Sequence, residues 1–332
     1  MGCKGSLKEI SDKDLQNGYS KAHLKSMYGI TKSVTIKGTS ESFTDMVIDH
    51  TIGTSISGVQ RKMFMTLVEG VLVPSNQGEY IVKPTPHGLP QLSENEHAIM
   101  KIAQRVGFNV AKCSIAPFEN GELAYVTKRF DLTENKKVKI FVEDGASICD
   151  VHPMNKGSDA LSYENSIKKM VKACGGAIAL SVYAVRHVLF SYIVGNNDLH
   201  LKNFSLKRDP KSKSNMMDGF TPLYDILSVA PYPDYDTEYL SLSLLHAETD
   251  NNFSSSYEAY GYYTKHDFIL LLESLGVKPI IGERIILDLV ANIRKVSPLV
   301  FALSSLSKEM QATIMTRITD RCNAIERKII LL

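Results

Sequence analysis

The chain is poor in several features that mark whole classes of protein. Its 332 residues include only five cysteines, and no two of them form a C-x-x-C pair. An odd number without such a pair predicts neither a disulfide framework nor a zinc or redox-dithiol site. We therefore expect small, buried thiols in a reducing compartment. The five are Cys3, Cys113, Cys149, Cys174 and Cys322.

Charge of one sign and long apolar runs are also lacking. Lysine and arginine total 38 and aspartate and glutamate 36, a net charge of +2 that gives no footprint of direct nucleic-acid binding. The most apolar stretch, 175–194, is interrupted by Arg186 and His187. It is expected to be a buried helix and not a membrane span. The polar, basic start of the sequence predicts no secretory leader.

The remaining composition is that of an ordinary globular protein, with 44% hydrophobic and 22% charged residues. The length suggests about two domains or lobes. We divide the chain into a polar extension over 1–45, a β-rich N-lobe over 46–130 and a mainly helical C-lobe over 131–332. The predicted fold class is α+β.

Periodicity and turn residues predict the individual elements. The predicted strands are 63–68, 79–82, 114–118, 123–129, 204–207 and 221–223. The predicted helices are 95–106, 165–174, 177–193, 265–275, 281–296 and 308–331. Ser93 and Glu96 have the spacing of a capping box at the start of the first helix.

The strongest chemical signal is a polar loop that follows the apolar helix. In it, Asp198 and Asn203 are separated by four residues. Kinase-type phosphotransferases use this pair: the carboxylate accepts the proton of the attacking hydroxyl, and the amide oxygen binds Mg²⁺. Asp225 follows a short β-like segment, where a second Mg²⁺ ligand is expected. A helix cap is the structural alternative for Asp225.

A lysine and a glutamate upstream complete the pattern. Lys83 ends a β-like run, where its ammonium would reach the phosphates of ATP. Such a lysine needs a carboxylate to hold it. Glu96 is the first candidate partner, although it could serve the capping box alone, and Glu94 is the competing one.

A Gly/Ser loop precedes these residues, and Ser55, Ser57 and Gly58 belong to it. Its backbone N–H groups could bind phosphate oxygens, although a plain flexible turn has the same composition. The loop is not a Walker A motif, because Val59 occupies the lysine position and a β-like run follows. The order of loop, lysine, glutamate, Asp-x4-Asn and final aspartate is that of a kinase.

With these motifs in this order, the sequence resembles the HipA-type Ser/Thr kinases of bacterial toxin–antitoxin systems. The matching segments are 55–62, 81–84, 95–97, 128–131, 143–144, 195–204 and 224–228. The resemblance implies a two-lobed protein-kinase-like fold and Mg²⁺-dependent transfer of phosphate from ATP to protein. It assigns catalysis to Asp198, metal binding to Asn203 and Asp225, and ATP-phosphate binding to Lys83.

The same resemblance implies further roles. Phe130, in the hinge, and His200 would line the nucleotide pocket, and Ser55 or Ser57 would be an autophosphorylated regulatory serine. The target would be a translation component, with an aminoacyl-tRNA synthetase as the expected choice. A HipB-like DNA-binding protein and a small HipS-like protein would be the antitoxin partners. The bacterial cytoplasm is the expected location, and the sequence leaves export into a host cell open.

The chain departs from the family pattern in places. Only 54 residues precede Ser55, which resembles the shorter HipT subclass. Lys128 replaces the usual hinge glutamate, which puts one adenine or ribose contact in doubt. Two other functions stay open: a small-molecule phosphotransferase of the aminoglycoside type, and an ATP-binding pseudokinase scaffold. Phosphotransferases of the aminoglycoside type more often have histidine before the catalytic aspartate. Asn197 at that position argues against this alternative.

Overall fold

The structure is a computed structural model that describes residues 2–43, 54–55, 60–133, 138–158 and 160–327. The chain divides into two compact units. The first unit comprises Met1–Phe130 and Val296–Gln311, and the second comprises Asp131–Lys295 and Ala312–Leu332.

The first unit is built around a six-stranded sheet in the order β3-β7-β6-β8-β10-β9. Among the strand pairs described in this sheet, only that of β3 with β7 is parallel. The ten strands described here are β1 (Leu15–Gln16), β2 (Tyr19–Ser20), β3 (Thr35–Ile36), β4 (Thr54–Ser55), β5 (Gln60–Arg61), β6 (Met63–Val68), β7 (Val71–Pro74), β8 (Tyr80–Pro84), β9 (Cys113–Pro117) and β10 (Leu123–Lys128). The pairs β1–β2 and β4–β5 form separate two-stranded ribbons.

The strand register follows from alternating burial. Met63 and Met65 of β6 are buried and stand opposite Val82 and Tyr80 of β8, which are also buried. Because side chains alternate between the faces of a strand, these four residues share one face of the sheet. They belong to one hydrophobic cluster of the unit.

Among the described residues, the helices α1 (Lys21–Tyr28) and α2 (Leu92–Arg105) accompany the sheet. Helix α1 contributes Leu24 and Met27 to the same hydrophobic cluster as Met63. The structure therefore groups the N-terminal residues with the sheet, whereas the sequence-based division kept 1–45 apart. The apolar stripe of α1 is short and lies between lysines, so composition obscured it.

Helix α2 begins earlier than the sequence pattern predicts. It starts at Leu92, and its N-cap Gln91 makes no side-chain capping bond. The capping-box prediction for Ser93 was therefore wrong: its hydroxyl donates instead to the carbonyl of Lys83, at 3.0 Å. Glu96 is left without a capping role and lies fully buried.

The second unit contains a small antiparallel sheet of β11 (Phe141–Asp144), β12 (Ser205–Arg208) and β13 (Gly219–Phe220). The remaining helices are α3 (Gly145–Ile148), α4 (Tyr163–Ala173), α5 (Ile178–Val194), α6 (Ser255–Tyr260), α7 (Lys265–Ser274), α8 (Pro279–Phe301) and α9 (Lys308–Glu326). Helix α5 is apolar on most sides because most of its length is buried. Short 3-10 turns lie at Leu201–Asn203, Pro233–Tyr235 and His246–Asp250.

Most predicted elements are present within a few residues of their predicted ends. The strand over 63–68 is correct at both ends, and the strand predicted over 221–223 lies earlier, at Gly219–Phe220. Strands β1 to β5, β7 and β11 were not predicted. In the described part of the chain, no helix is both long enough and apolar enough to cross a bilayer. The five cysteines are free thiols.

Candidate functional site

In the first unit, Lys83 and Glu96 form a buried ion pair. Strand β8 presents Lys83 and helix α2 presents Glu96, and Nζ lies 2.8 Å from Oε1. The two side chains are 5% and 0% exposed. Nζ also lies 5.5 Å from the centre of the Tyr125 ring. The pair is held by regular secondary structure on both sides.

Glu94, the other candidate partner of Lys83, has different neighbours. Glu94 interacts with the side chain of Thr85, and burial raises the pKa of its carboxyl. Ser93 binds the main chain of Lys83 at 3.0 Å and so helps to hold the end of β8. Of the two glutamates considered from the sequence, it is Glu96 that pairs with Lys83.

The Gly/Ser loop is described only at its ends. Ser55 lies in β4, which pairs with β5 in an antiparallel ribbon, while Ser57 and Gly58 lie outside the described residues. Gln60 of β5 is buried, and its side-chain amide donates to the carbonyl of Pro84, at 3.3 Å. This bond ties the ribbon to the residue next to Lys83. No pattern in the sequence singled out Gln60.

Phe130, which the resemblance places in a hinge, follows β10 at the end of the first unit's main segment. Its neighbour Arg129 donates from the main chain to Glu79, at 2.9 Å, and from its guanidinium to the carbonyl of Gly78, at 3.2 Å. Arg129 also stacks on the Phe64 ring, at 4.3 Å. These contacts fix the backbone just before Phe130.

In the second unit, the Asp198 loop starts where α5 ends. Gly195 caps the helix in the left-handed conformation, with φ of 75°, which glycine adopts without strain. The side chain of Asn196 then accepts from the N–H of Asp198, at 3.2 Å. The Tyr163 hydroxyl donates to the carbonyl of Leu199, at 2.8 Å. Side chains from outside the loop and within it therefore hold an irregular backbone in place.

Asn203 is oriented by the same loop. Its amide nitrogen donates to the carbonyl of Asp198, at 3.0 Å. This bond leaves the amide oxygen as the atom that can bind a cation, which is the role expected of it. The predicted base and the predicted metal ligand are thus linked by one hydrogen bond.

His200 lies between charged groups. Its Nε2 is 3.8 Å from the Asp198 carboxylate and 2.6 Å from Nζ of Lys156. Burial, and after it the charge of the neighbouring Lys156, lower the pKa of His200 to about 4. The imidazole is therefore neutral at pH 7 and accepts a hydrogen bond from the Lys156 ammonium. Lys156 belongs to a segment without periodicity, so the sequence carried no signal for it.

Asp225 has an unusual backbone. Its φ is +59°, a conformation that residues other than glycine, asparagine and aspartate rarely adopt. Its negative charge acts on His200, whose pKa it raises, so it belongs to the same cluster as Asp198.

The donor set fits magnesium better than a transition metal. Within the described ranges, no cluster of three His, Cys, Asp or Glu side chains could hold a metal ion. Mg²⁺ needs only one or two protein oxygens together with phosphate oxygens and water. One carboxylate, from Asp225, and one amide oxygen, from Asn203, match that requirement.

The loop that carries Asn203 makes a close backbone contact with Gly145, the residue that follows β11. The N–H of Gly145 donates to the carbonyl of Phe204, at 2.8 Å. A Cβ at this position would lie 2.9 Å from the carbonyl oxygens of Leu201 and Phe204, closer than real Cβ atoms tolerate. Only glycine fits between β11 and the 3-10 turn that carries Asn203.

The family model of the HipA-like C-terminal domain matches residues 54–296. A Haemophilus influenzae protein named "Putative kinase" is 33% identical over 257 residues, 74% of each chain. The serine/threonine-protein kinase toxin HipA of Shewanella oneidensis is 26% identical over 208 residues, 55% of this chain and 45% of its own.

A solved structure shows the fold. A chain from the complex of Shewanella oneidensis HipA, HipB and operator DNA superposes with a TM-score of 0.63, at 19% identity, over 86% of this chain and 70% of its own. This likeness and the element content of both units confirm the predicted α+β class. The match to the HipA toxin covers less than half of that protein's length. With most of its length matched by the family model, the chain belongs to the HipA-like C-terminal domain family.

Proposed function

We propose that this protein is an ATP- and Mg²⁺-dependent serine/threonine protein kinase. The observation that carries the proposal is the Lys83–Glu96 ion pair, with its 2.8 Å contact and full burial. Burying two charges costs free energy that an apolar pair of similar size avoids. A lysine kept at a strand end by a helix glutamate is, however, what phosphotransferases use to bind the phosphates of ATP.

The remaining roles follow from the second unit. Asp198 would accept the proton of the attacking hydroxyl, and the oxygens of Asn203 and Asp225 would hold Mg²⁺. Mg²⁺, when bound, neutralises charge on the transferred phosphoryl group. A neutral His200 would add no charge and would line the nucleotide pocket with Phe130.

Autophosphorylation of Ser55 or Ser57 is the proposed regulation. Ser55 belongs to the β4–β5 ribbon, which Gln60 ties to Pro84 beside Lys83. A phosphate on this ribbon adds a charge of about −1.5 to −2 where ATP phosphates are proposed to bind. Repulsion would then switch the enzyme off. Mass spectrometry of the purified protein, with Ser55→Ala and Ser57→Ala as variants, identifies the site or finds no phosphate.

The biological role proposed is that of a toxin whose target is a translation component, namely an aminoacyl-tRNA synthetase. The Shewanella relative is named a kinase toxin, and its solved complex contains HipB and operator DNA. We therefore propose a HipB-like antitoxin and, if the chain is of the short HipT-like subclass, a small HipS-like partner. The bacterial cytoplasm is the proposed location.

The test is phosphate transfer from radiolabelled ATP. The protein is incubated with Mg²⁺ and a bacterial lysate, and we expect label on a protein band. Asp198→Asn should abolish the label, while Asp288→Asn, the same change at an exposed aspartate of α8, should leave it intact. Label only on small molecules would support an aminoglycoside-type enzyme, and ATP binding without transfer would support a pseudokinase.

A further inference from the structure

The second unit presents a group of exposed apolar side chains that the proposed catalytic roles do not use. Within the described ranges, nine large apolar side chains are exposed, and four of them come from three segments that contact one another. Single exposed apolar residues are common on protein surfaces, but a contiguous group marks a surface that binds a partner. The four are Ile178 (55% exposed), Met216 (54%), Ile280 (73%) and Ile281 (43%), and together they are the apolar patch.

The three segments meet at two glycines. A Cβ on Gly175 would lie 3.4 Å from Sδ of Met216, and a Cβ on Gly276 would lie 3.7 Å from Cδ1 of Ile178. Gly276 is followed closely by Ile280, in the first turn of α8. The connection between α4 and α5, the turn between β12 and β13 and the start of α8 therefore form one continuous surface.

Each of the three segments also carries an exposed lysine. Lys172 belongs to the last turn of α4, Lys213 lies in the turn that contains Met216, and Lys278 directly precedes α8. In the part of the chain that the structure describes, none of these ammonium groups forms an ion pair or a hydrogen bond. Their charges are therefore available to a partner.

The patch segments are more basic than the chain as a whole. They contain seven lysine or arginine residues and four carboxylates, a net charge of +3, whereas the whole chain carries +2. Glu283, one of the four carboxylates, is paired with Lys265. Asp218, another of them, accepts from the N–H of Asp209, at 2.6 Å, and so holds the β12–β13 turn. The surface is therefore complementary to an anionic partner. The segments counted are 172–179, 207–218 and 273–284.

The patch and the proposed catalytic loop lie at opposite ends of α5. Ile178 is the first residue of this helix, and the loop that carries Asp198 follows its last residue, Val194. A helix of 17 residues is about 25 Å long. A partner bound at the patch therefore leaves Asp198 uncovered.

We infer that the apolar patch and its three lysines bind the surface of an anionic lipid bilayer. The apolar side chains enter the boundary between headgroups and acyl chains, while the ammonium groups stay at the level of the lipid phosphates. Nucleic acid fits this surface less well, because the patch is aliphatic and unpaired bases stack on aromatic rings. Binding of this kind needs no membrane-spanning helix, and the described part of the chain contains none.

The first experiment is co-sedimentation of the full chain with vesicles of phosphatidylglycerol and phosphatidylcholine in equal parts, and with vesicles of phosphatidylcholine alone. We expect about 10-fold stronger binding to the anionic vesicles, most of which is lost when the salt concentration rises from about 0.1 M to about 0.5 M. Equal binding to both vesicles, or binding to neither, overturns the inference. Binding of duplex DNA or polyglutamate but of neither vesicle assigns the patch to another class of partner and overturns it as well.

Variants tie the binding to the patch. Met216→Ser and Ile280→Ser should each weaken binding to the anionic vesicles about 10-fold, whereas Met154→Ser, at an exposed methionine outside the three segments, should not change it. Lys278→Gln should weaken binding about 5-fold, and Lys295→Gln, at an exposed lysine further along α8, should not. All five side chains are exposed, so the fold should be retained. Wild-type binding by the two apolar variants contradicts the inference.

The absence of tryptophan from the sequence allows a direct test of insertion. In Ile280→Trp, the emission should shift to shorter wavelength and be quenched by brominated lipid when anionic vesicles are added. In Met154→Trp, the emission should stay that of an exposed ring. Quenching in the second variant alone, or in neither although the protein is bound, means that another surface faces the lipid and refutes the assignment. None of these measurements uses ATP, so their outcome is independent of the proposed kinase function.

Discussion

The ion pair proposed to bind ATP phosphates and the loop proposed to carry the base differ in secondary structure and in burial. Lys83 and Glu96 lie on a strand and a helix and are 5% and 0% exposed. Asp198, at 28% side-chain exposure, lies on an irregular loop, and the nearby Asp225 has a left-handed backbone. The ion pair is part of a folded core, whereas the loop is held by hydrogen bonds from side chains to its own main chain.

This difference indicates which residues contribute to both stability and activity, and which contribute to activity alone. Removing one member of a buried ion pair leaves the other charge without compensation, so stability and activity fall together. A half-exposed carboxylate can lose its charge without such a penalty, so activity falls alone. Substitutions in the two regions should therefore separate these effects.

The largest expected effect is on the rate of phosphoryl transfer in Asp198→Asn. Loss of the proposed base should lower kcat by about 10³-fold. The change is nearly isosteric and the side chain is partly exposed, so the free energy of unfolding should change by less than about 1 kcal/mol. Denaturant unfolding and a transfer assay measure the two quantities, and a strongly destabilised variant would contradict the comparison.

Lys83→Met should affect both quantities. Glu96 would remain buried without its partner, and the expected loss of stability is about 3–5 kcal/mol. The double variant Lys83→Met/Glu96→Leu should regain most of that loss because no buried charge remains. Phosphoryl transfer should stay absent in both. Recovery of activity in the double variant would show that the pair serves the fold alone.

Gly145→Ala tests the support beneath the loop. The new Cβ would lie 2.9 Å from two carbonyl oxygens, and such overpacking costs about 1–3 kcal/mol. The rate of phosphoryl transfer should fall together with stability, because the displaced turn carries Asn203. Gly176→Ala is the control: its φ of +81° brings backbone strain, but nothing lies within 4 Å of the new Cβ, so activity should persist.

Lys156→Met tests the residue that the sequence did not reveal. The ammonium lowers the pKa of His200, so its removal should raise that pKa from about 4. We expect kcat to fall about 10-fold, as a polar contact of the cluster is lost. NMR titration of the histidine ring and a transfer assay check both expectations. Lys156→Arg should keep the pKa of His200 low.

The last effect is absent at neutral pH and concerns the pH dependence of stability. Burial lowers the pKa of His187 to about 3, below the 6.5 of an exposed histidine. The unfolded state therefore binds the proton first, and stability present above pH 6.5 is lost as pH falls toward 3. The slope for one histidine is about 1.4 kcal/mol per pH unit. Between pH 4.5 and 7.5, the free energy of unfolding of His187→Leu should change less steeply with pH than that of the wild-type protein.

The regular elements of the site could be predicted from local patterns. Alternation of apolar residues located the strand over 63–68, and the apolar spacing after Asn95 located the helix that carries Glu96. The spacing of Asp198 and Asn203 identified the loop without any structure. Whether Ser55 or Ser57 is phosphorylated stays a prediction.

By itself, the amino-acid sequence determined the family and many of the longer helices and strands, and it singled out the residues proposed to carry chemistry, because period, spacing and residue type are local properties of the chain. Only the tertiary structure decided that Lys83 pairs with Glu96, that Lys156 lies beside His200, and that Arg321 is stacked between tyrosine rings. These contacts join residues from different elements, and their geometry depends on how those elements pack, which no local pattern contains.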